Sequence, residues 1–271
     1  MSQSTEALNE ARRHLSEGTT EEVLRAINDE DATVAGVVAG CIPQVAQLVD
    51  AAVTSLKAGG RIFYCGAGTS GRLAVADAAE CPPTYGVASE TVQAVIAGGA
   101  GAIVNAAEGC EDDEAAGQKA FSDAGCRAGD VVIGISAAGN APFVCAFLEK
   151  AKEAGCVTGA ITNNENTRLS RIADVTVMAL TGPEVVSGST RMKAGTSQKM
   201  ILNMFSTAVF VRMGYVFGNY MVNMKVSNSK LRRRAVSIVM ALTGLDEAGA
   251  IALLEQHDFF VRGALESFFQ K

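Results

Sequence analysis

The sequence predicts an α/β fold: three αβα layers built on a five-stranded parallel sheet, with added helices at both ends. Five short apolar, β-branched runs follow one another through the middle of the chain, each trailed by a turn and a helix-period segment. The flanking stretches instead place apolar residues three and four apart, the spacing of amphipathic helices. Gly-rich turns punctuate the strand-like runs, and no repeat, low-complexity tract or Pro-rich linker divides the chain.

Taken in order, residues 20–58 read as helix, with "AGG" at 58–60 as the stop. Strands are expected at Arg61–Cys65, Thr91–Ala97, Asp130–Ser136, Cys156–Thr162 and Asp174–Leu180. A helix over residues 70–80 follows the first strand, and "APFVCAFLEKAKEAG" (141–155) is a crossover helix ended by glycine. From Thr196 a long apolar helix begins, whose stripe Met200, Met204, Phe205 and Val209 reads as core packing. Residues 229–271 supply one or two further helices. The expected organisation is helices over 1–58, an α/β ligand-binding domain over 59–220 and a short helical segment over 221–271.

Composition excludes several classes. A net charge of −6 and a pI near 5.1 argue against nucleic acid as a partner. "KLRRR" at 230–234 reads as a solvated helix face. No apolar window is long enough for a membrane span, and residues 1–20 lack the apolar stretch of a signal peptide. Seven scattered cysteines without a C-x-x-C pair point to reduced thiols and a cytoplasmic setting. His14 and His257 have no ligand-spaced neighbours, so neither a metal nor another cofactor is expected.

The chemistry concentrates where strands give way to helices. "CGAGTSGR" (65–72) carries Gly66, Gly68 and Gly71 in a Gly-x-Gly-x-x-Gly pattern directly after the first strand. In a parallel sheet, ligands sit beyond the carboxyl ends of the strands, and a helix N-terminus offers free N–H groups to an anion. A dinucleotide site also needs an acidic residue at the tip of the second strand, where this chain has "AGGAGA" (97–102). With Thr69 and Ser70 inside the turn and Arg72 after it, a phosphate monoester is the better match; a Gly-rich bend without ligand is the plain alternative. "SAAGNAP" (136–142) occupies the equivalent place after the third strand. After the fifth, "GPEVVSGSTRMKAGTSQK" (182–199) combines Glu184, Ser187, Ser189, Thr190, Arg191, Lys193 and Lys199, either as part of a ligand site or as a helix entry.

"GAGTSGRLAVADAAECPPTYG", "AAEGCEDD" and "GPEVVSGSTRMKAGTSQK" together resemble the N-acetylmuramic acid 6-phosphate etherases, of the sugar isomerase (SIS) fold family. The glucokinase regulatory protein is a more distant relative sharing the third motif. The resemblance extends from about Thr5 through "INDED" (27–31) and "FGNYMVNMKVSNSKLR" (217–232). It implies a flavodoxin-like SIS sheet, a homodimer, and no metal or nucleotide. It further implies cleavage of the D-lactyl ether of N-acetylmuramic acid 6-phosphate to N-acetylglucosamine 6-phosphate, by elimination and then water addition. By motif, Glu80 would be the general acid and Glu111 the base. Gly68, Thr69, Ser70 and Gly71 would hold the phosphate, helped by Ser136, Asn140, Glu184, Ser189 and Lys193.

Glu80 could instead simply end a helix before Pro82-Pro83, and Glu111 could belong to a solvated acidic run leading into the next helix. About 15 Å of helix would separate Ser70 from Glu80. Glu80 is therefore expected either to leave the helix early or to serve the site of a second subunit.

Two departures stand out. Ala138 and Ala141 occupy positions where the family has hydroxyls in the second loop. After Thr243-Gly244 the chain passes almost at once into a single expected helix (245–265), which would leave Phe259, Phe260, Phe268 and Phe269 needing a partner surface. A sugar-phosphate sensor without catalysis and an aldose–ketose isomerase are the alternative functions.

Overall fold

All of Ile62–Gly66 is buried, as a strand covered on both faces requires, and this strand, β1, has a neighbour on each side. The computed structural model describes residues 4–270 except Lys225 and Ser227; Met1–Gln3 and those two motif residues lie outside the described residues. Helices α1 (Thr20–Asp31), α2 (Val34–Gly40) and α3 (Ile42–Lys57) precede the sheet. Thr19 and Glu22 form a reciprocal capping box that starts α1. Gly59, at φ +82°, ends α3 where the sequence places the stop.

The remaining strands are β2 (Val92–Ile96), β3 (Val131–Ile135), β4 (Val157–Thr162) and β5 (Val175–Met178). All five are parallel, in the order β2-β1-β3-β4-β5. The five strand-like runs of the sequence are thus the five strands. Strand order reverses between β1 and β3, so the crevice outside their carboxyl ends is the topological switch point, where such sheets bind ligands. Gly66 stands opposite both Ile96 and Ile135, and Ile135 opposite Ile161. The loops after four strands therefore leave the sheet side by side.

Helices α6 (Glu114–Ala124), α7 (Pro142–Glu153) and α8 (Arg168–Ile172) cover one face, where Phe63, Val132 and Ala160 meet Phe147, Leu148 and Leu169. Each fully buried Phe or Leu contributes about 1.5–3 kcal/mol. On the other face Leu48 of α3 reaches Gly159. There Tyr64 meets α4 (Gly68–Tyr85) through Asp77 and α9 (Lys193–Arg212) through Phe205. A short helix, α5 (Gly101–Val104), follows β2.

The chain forms two compact units, Met1–Ala78 with Glu90–Ser206, and Ala79–Ser89 with Thr207–Lys271. The boundaries differ from the expected 59–220 and 221–271 because the ends of α4 and α9 pack together. Tyr85 stacks on Phe210 at 4.5 Å and donates to Thr207 Oγ1, while Asn223 Nδ2 donates to the Tyr85 carbonyl. The second unit also holds a hairpin, β6 (Val216–Phe217) and β7 (Tyr220–Met221), and three helices.

These helices, α10 (Ser229–Thr243), α11 (Glu247–Glu255) and α12 (Val261–Phe269), correct the expectation of one unsupported helix after Gly244. Asp258 and Phe259 take positive φ and break the segment in two. Val239, Leu254, Val261 and Leu265 then close a core of their own. Phe259 and Phe268 pack on that core, with Arg232 stacked 3.6 Å above the Phe259 ring; Phe260 and Phe269 stay exposed. No single described helix is long and apolar enough to cross a membrane.

Candidate functional site

The three glycines of the β1–α4 turn do different work. A Cβ on Gly66 would lie 2.8 Å from the Gly71 nitrogen, and one on Gly71 would lie 2.9 Å from the Gly66 carbonyl. The pair lets α4 start directly against its own strand. Gly68, at φ +54°, makes the bend between them. Gly71 N–H donates to the Ala67 carbonyl, so the N–H groups of Gly68, Thr69 and Ser70 precede any helical acceptor. They open from the end of β1 beside the switch point, where the sequence places the Gly-x-Gly-x-x-Gly turn.

The start of α9 lies against this turn. A Cβ on Gly195 would be 3.4 Å from the Thr69 methyl, and Ser70 Oγ donates to Gln198 Oε1 at 2.8 Å. Glu184, fully buried, accepts the backbone N–H groups of Lys193 and Ala194 at 2.9 Å each and so caps α9. Burial raises its pKa against the lowering effect of those two donors. Lys193 Nζ is held at 2.5 Å by Glu30, which also accepts from Asn9 and Arg12. Burial pushes the Glu30 carboxyl up, but the donors from Lys193, Asn9 and Arg12 outweigh it and hold the group below its ordinary value. Glu184 and Lys193 thus build the third loop from within. Ser189 lies in the same loop, half-buried, its carbonyl accepting from Met192 N–H.

Ser136, at the end of β3, is buried and accepts the Gly139 N–H at 3.0 Å. Gly139 has φ +69°, and any Cβ there would strike Thr162 and Thr167 at about 2.6 Å. Asn140 is exposed; its Oδ1 accepts the Arg168 N–H and ties this loop to the start of α8. Ala141 is the N-cap of α7 and supplies no side-chain cap.

A pair that sequence reasoning passed over joins these loops. Asn163 and Asn164 follow β4 directly, and both are buried. Asn163 Nδ2 donates to the Ala179 carbonyl and to Ser197 Oγ, and its Oδ1 accepts from Gln198 Nε2. Asn164 Nδ2 donates to the Ala137 carbonyl and to Thr5 Oγ1, drawing the N-terminal arm onto the second loop. Their position at the carboxyl end of a central strand was the available signal. Among the described residues one buried side-chain polar atom lacks a partner, Thr181 Oγ1, also beyond the end of β5.

Glu80 does not leave the helix early: α4 continues unbroken to Tyr85. Pro82 and Pro83 cannot donate to the carbonyls four residues back, a penalty of about 3 kcal/mol for an interior proline. Burial of Cys81 and Tyr85 and the stacking of Tyr85 hold the last turns helical regardless. Glu80 is exposed, and so is Glu111, in a single 3₁₀ turn (Cys110–Asp112) entered through Gly109 at φ +75°. Asp113, two residues after Glu111, caps α6 through the Ala116 N–H. No cluster of three or more potential metal ligands occurs among the described residues.

Beneath the turn, Asp77 accepts from Tyr64 OH, Asn203 Nδ2 and Ser206 Oγ. Burial raises its pKa although all three donors oppose it. A carboxyl with a raised folded-state pKa stabilises the fold below its unfolded value near 3.9, and loses that contribution as pH rises through the folded value. Asp77→Asn is therefore expected to lose less stability than the parent between pH 4 and pH 8. Parallel curves of melting temperature against pH would show that Asp77 carries no such penalty.

The fold and its convergent loops define an SIS-domain protein. Residues 44–152 match the glucokinase regulatory protein N-terminal SIS domain, residues 111–208 the SIS domain, and residues 218–263 the C-terminal lid domain of glucokinase regulatory protein. Phosphoheptose isomerases from Neisseria gonorrhoeae and Francisella tularensis share the fold. Each superposes with a TM-score of 0.54, at 20% identity over 70% of this chain and 99% of the former, and 18% over 71% and 98% for the latter. N-acetylmuramic acid 6-phosphate etherase 1 of Bacillus licheniformis is 48% identical over 96% of this chain and 86% of its own length. The etherase of Symbiobacterium thermophilum is 49% identical over 91% and 82%. The chain belongs to the N-acetylmuramic acid 6-phosphate etherase family.

Proposed function

We propose that this chain is a carbon–oxygen lyase that releases D-lactate from N-acetylmuramic acid 6-phosphate and leaves N-acetylglucosamine 6-phosphate. The observation that carries the reading is the 48% identity to an etherase along 96% of the chain, in a sheet whose switch point bears the glycine turn. The 6-phosphate docks on the N–H groups of Gly68, Thr69 and Ser70, with Gly71 permitting the close approach. Ser136, Asn140 and Ser189 border the site from neighbouring loops, and Glu184 and Lys193 hold the third loop in shape.

In the open-chain sugar the C1 aldehyde acidifies the C2 proton. Glu111 takes that proton, the C3–O bond breaks, and Glu80 protonates the departing lactate oxygen. Water then adds across the C2–C3 double bond, its hydroxyl to C3 and its proton to C2. A pair of positioned carboxyl groups, one protonated and one not, suits both steps. A sensor would need neither group, and the family relationship favours the enzyme.

The enzyme works in the cytoplasm during cell-wall recycling, as a homodimer in which Glu80 serves the partner's site. Its continued helical position, ten residues along α4 from Ser70, motivates that arrangement. Incubating purified protein with N-acetylmuramic acid 6-phosphate and measuring lactate tests the activity. Lactate and N-acetylglucosamine 6-phosphate are expected in equal amounts. A ketose product without lactate would reassign the chain to isomerisation.

A further inference from the structure

We infer that Gln198 is a positioning residue that makes Ser70 face a ligand with its lone pairs rather than its proton. The inference rests on reading the β1–α4 turn as the phosphate site. The direction of each hydrogen bond is fixed from the far end of the network. The Ala179 carbonyl can only accept, so the Asn163 atom 2.8 Å from it is the amide nitrogen. That nitrogen also lies 2.8 Å from Ser197 Oγ, whose own proton goes to the Ala194 carbonyl at 2.7 Å. Asn163 consequently turns its oxygen to Gln198, which donates Nε2 at 2.9 Å. Only Oε1 of Gln198 is left for Ser70, and at 2.8 Å it accepts the single seryl proton. Ser70, Asn163, Ser197 and Gln198 are all buried, so bulk water does not compete for these bonds.

This polarity discriminates between forms of a phosphate ester. A dianion carries acceptors only; to engage the Ser70 proton it must strip Gln198 Oε1 of its donor inside a buried network, which is costly. A monoanion carries one P–O–H, which donates to the Ser70 lone pairs without disturbing Gln198. The N–H groups of the turn serve both forms alike. Gln198 never touches the ligand in this arrangement. It acts by holding the Ser70 proton.

The test compares two ligands of equal charge by isothermal titration calorimetry at pH 5, where a phosphate monoester, with a second pKa near 6, is largely a monoanion. N-acetylglucosamine 6-phosphate has a proton to donate; N-acetylglucosamine 6-sulfate has none. Wild-type protein is expected to bind the phosphate ester about five- to tenfold more tightly, the worth of one hydrogen bond. Ser70→Ala should abolish the preference. Gln198→Met, which frees the Ser70 proton for either ester, should shrink it toward unity, whereas a merely structural glutamine would weaken both esters equally. The wild-type comparison stands even if a variant fails to fold. Equal wild-type affinities for the two esters would overturn the inference and leave the phosphate site intact. If neither ester binds better than unmodified N-acetylglucosamine, the phosphate reading falls and this inference with it.

Discussion

Glu80→Gln and Glu111→Gln are each expected to lower the rate of lactate release by about 10²–10⁴-fold, the range that a positioned general acid or base contributes. Glutamine keeps the shape of the side chain but neither delivers nor accepts the proton. Both glutamates are exposed, so neither substitution should change the unfolding free energy by more than about 0.5 kcal/mol, as is typical of surface positions. Loss of rate with stability unchanged, measured by coupled lactate assay and thermal denaturation, is the diagnostic combination. Mixing the two inactive proteins under conditions of subunit exchange should restore measurable turnover, because one site of each heterodimer would then hold both glutamates. Absence of recovery after demonstrated exchange would place both groups in one chain. Wild-type rates in either single variant would remove that residue from the chemistry.

The opposite behaviour is expected of Asp130, at the amino-terminal edge of the sheet just before β3. Asp130 is fully buried, pairs with the Arg61 guanidinium at 2.7 Å, and accepts the backbone N–H groups of Arg61 and Arg127 at 2.9 and 3.0 Å. Asp130→Ala leaves two backbone donors without a partner and takes the carboxylate from the Arg61 guanidinium, which keeps the Gly125 carbonyl as its acceptor. Breaking a buried pair from one side costs about 3–5 kcal/mol, a fall in melting temperature on the order of 10 °C. The residue lies at the end of the strands away from the proposed site, so KM and kcat of the folded fraction should stay within about twofold of wild type, the span of small indirect effects. A marginal stability loss would mean that the ion pair merely offsets its own desolvation.

Between them these two results separate chemistry from scaffold, and the sequence foreshadows each to a different degree. The glycine turn was legible because its meaning is local: Gly66 and Gly71 are spaced so that a helix can begin against its own strand, whatever else the chain does. Glu80 and Glu111 are proposed through the family resemblance alone, since an exposed glutamate has no periodicity or burial to mark it. The Pro82-Pro83 pair misled for the reverse reason. Local preference ends a helix before it, while burial of Cys81 and Tyr85 carries α4 onward. Likewise the carboxyl-terminal segment reads as one helix with nothing to pack on until the positive φ of Phe259 folds α12 back onto α10 and α11.

The sequence by itself determined the five parallel strands, the helices between them and the place of the glycine turn after β1, because two- and 3.6-residue periodicities and glycine spacing act over a few neighbouring residues. Only the tertiary structure decided that Glu184 caps α9, that Lys193 pairs with Glu30 across 163 residues of chain, and that Gln198 holds the Ser70 proton through a network rooted in Asn163. A side chain that both donates and accepts can take either role. Which one it takes is set by partners far away in sequence, and those partners are chosen when the loops converge at the ends of the strands.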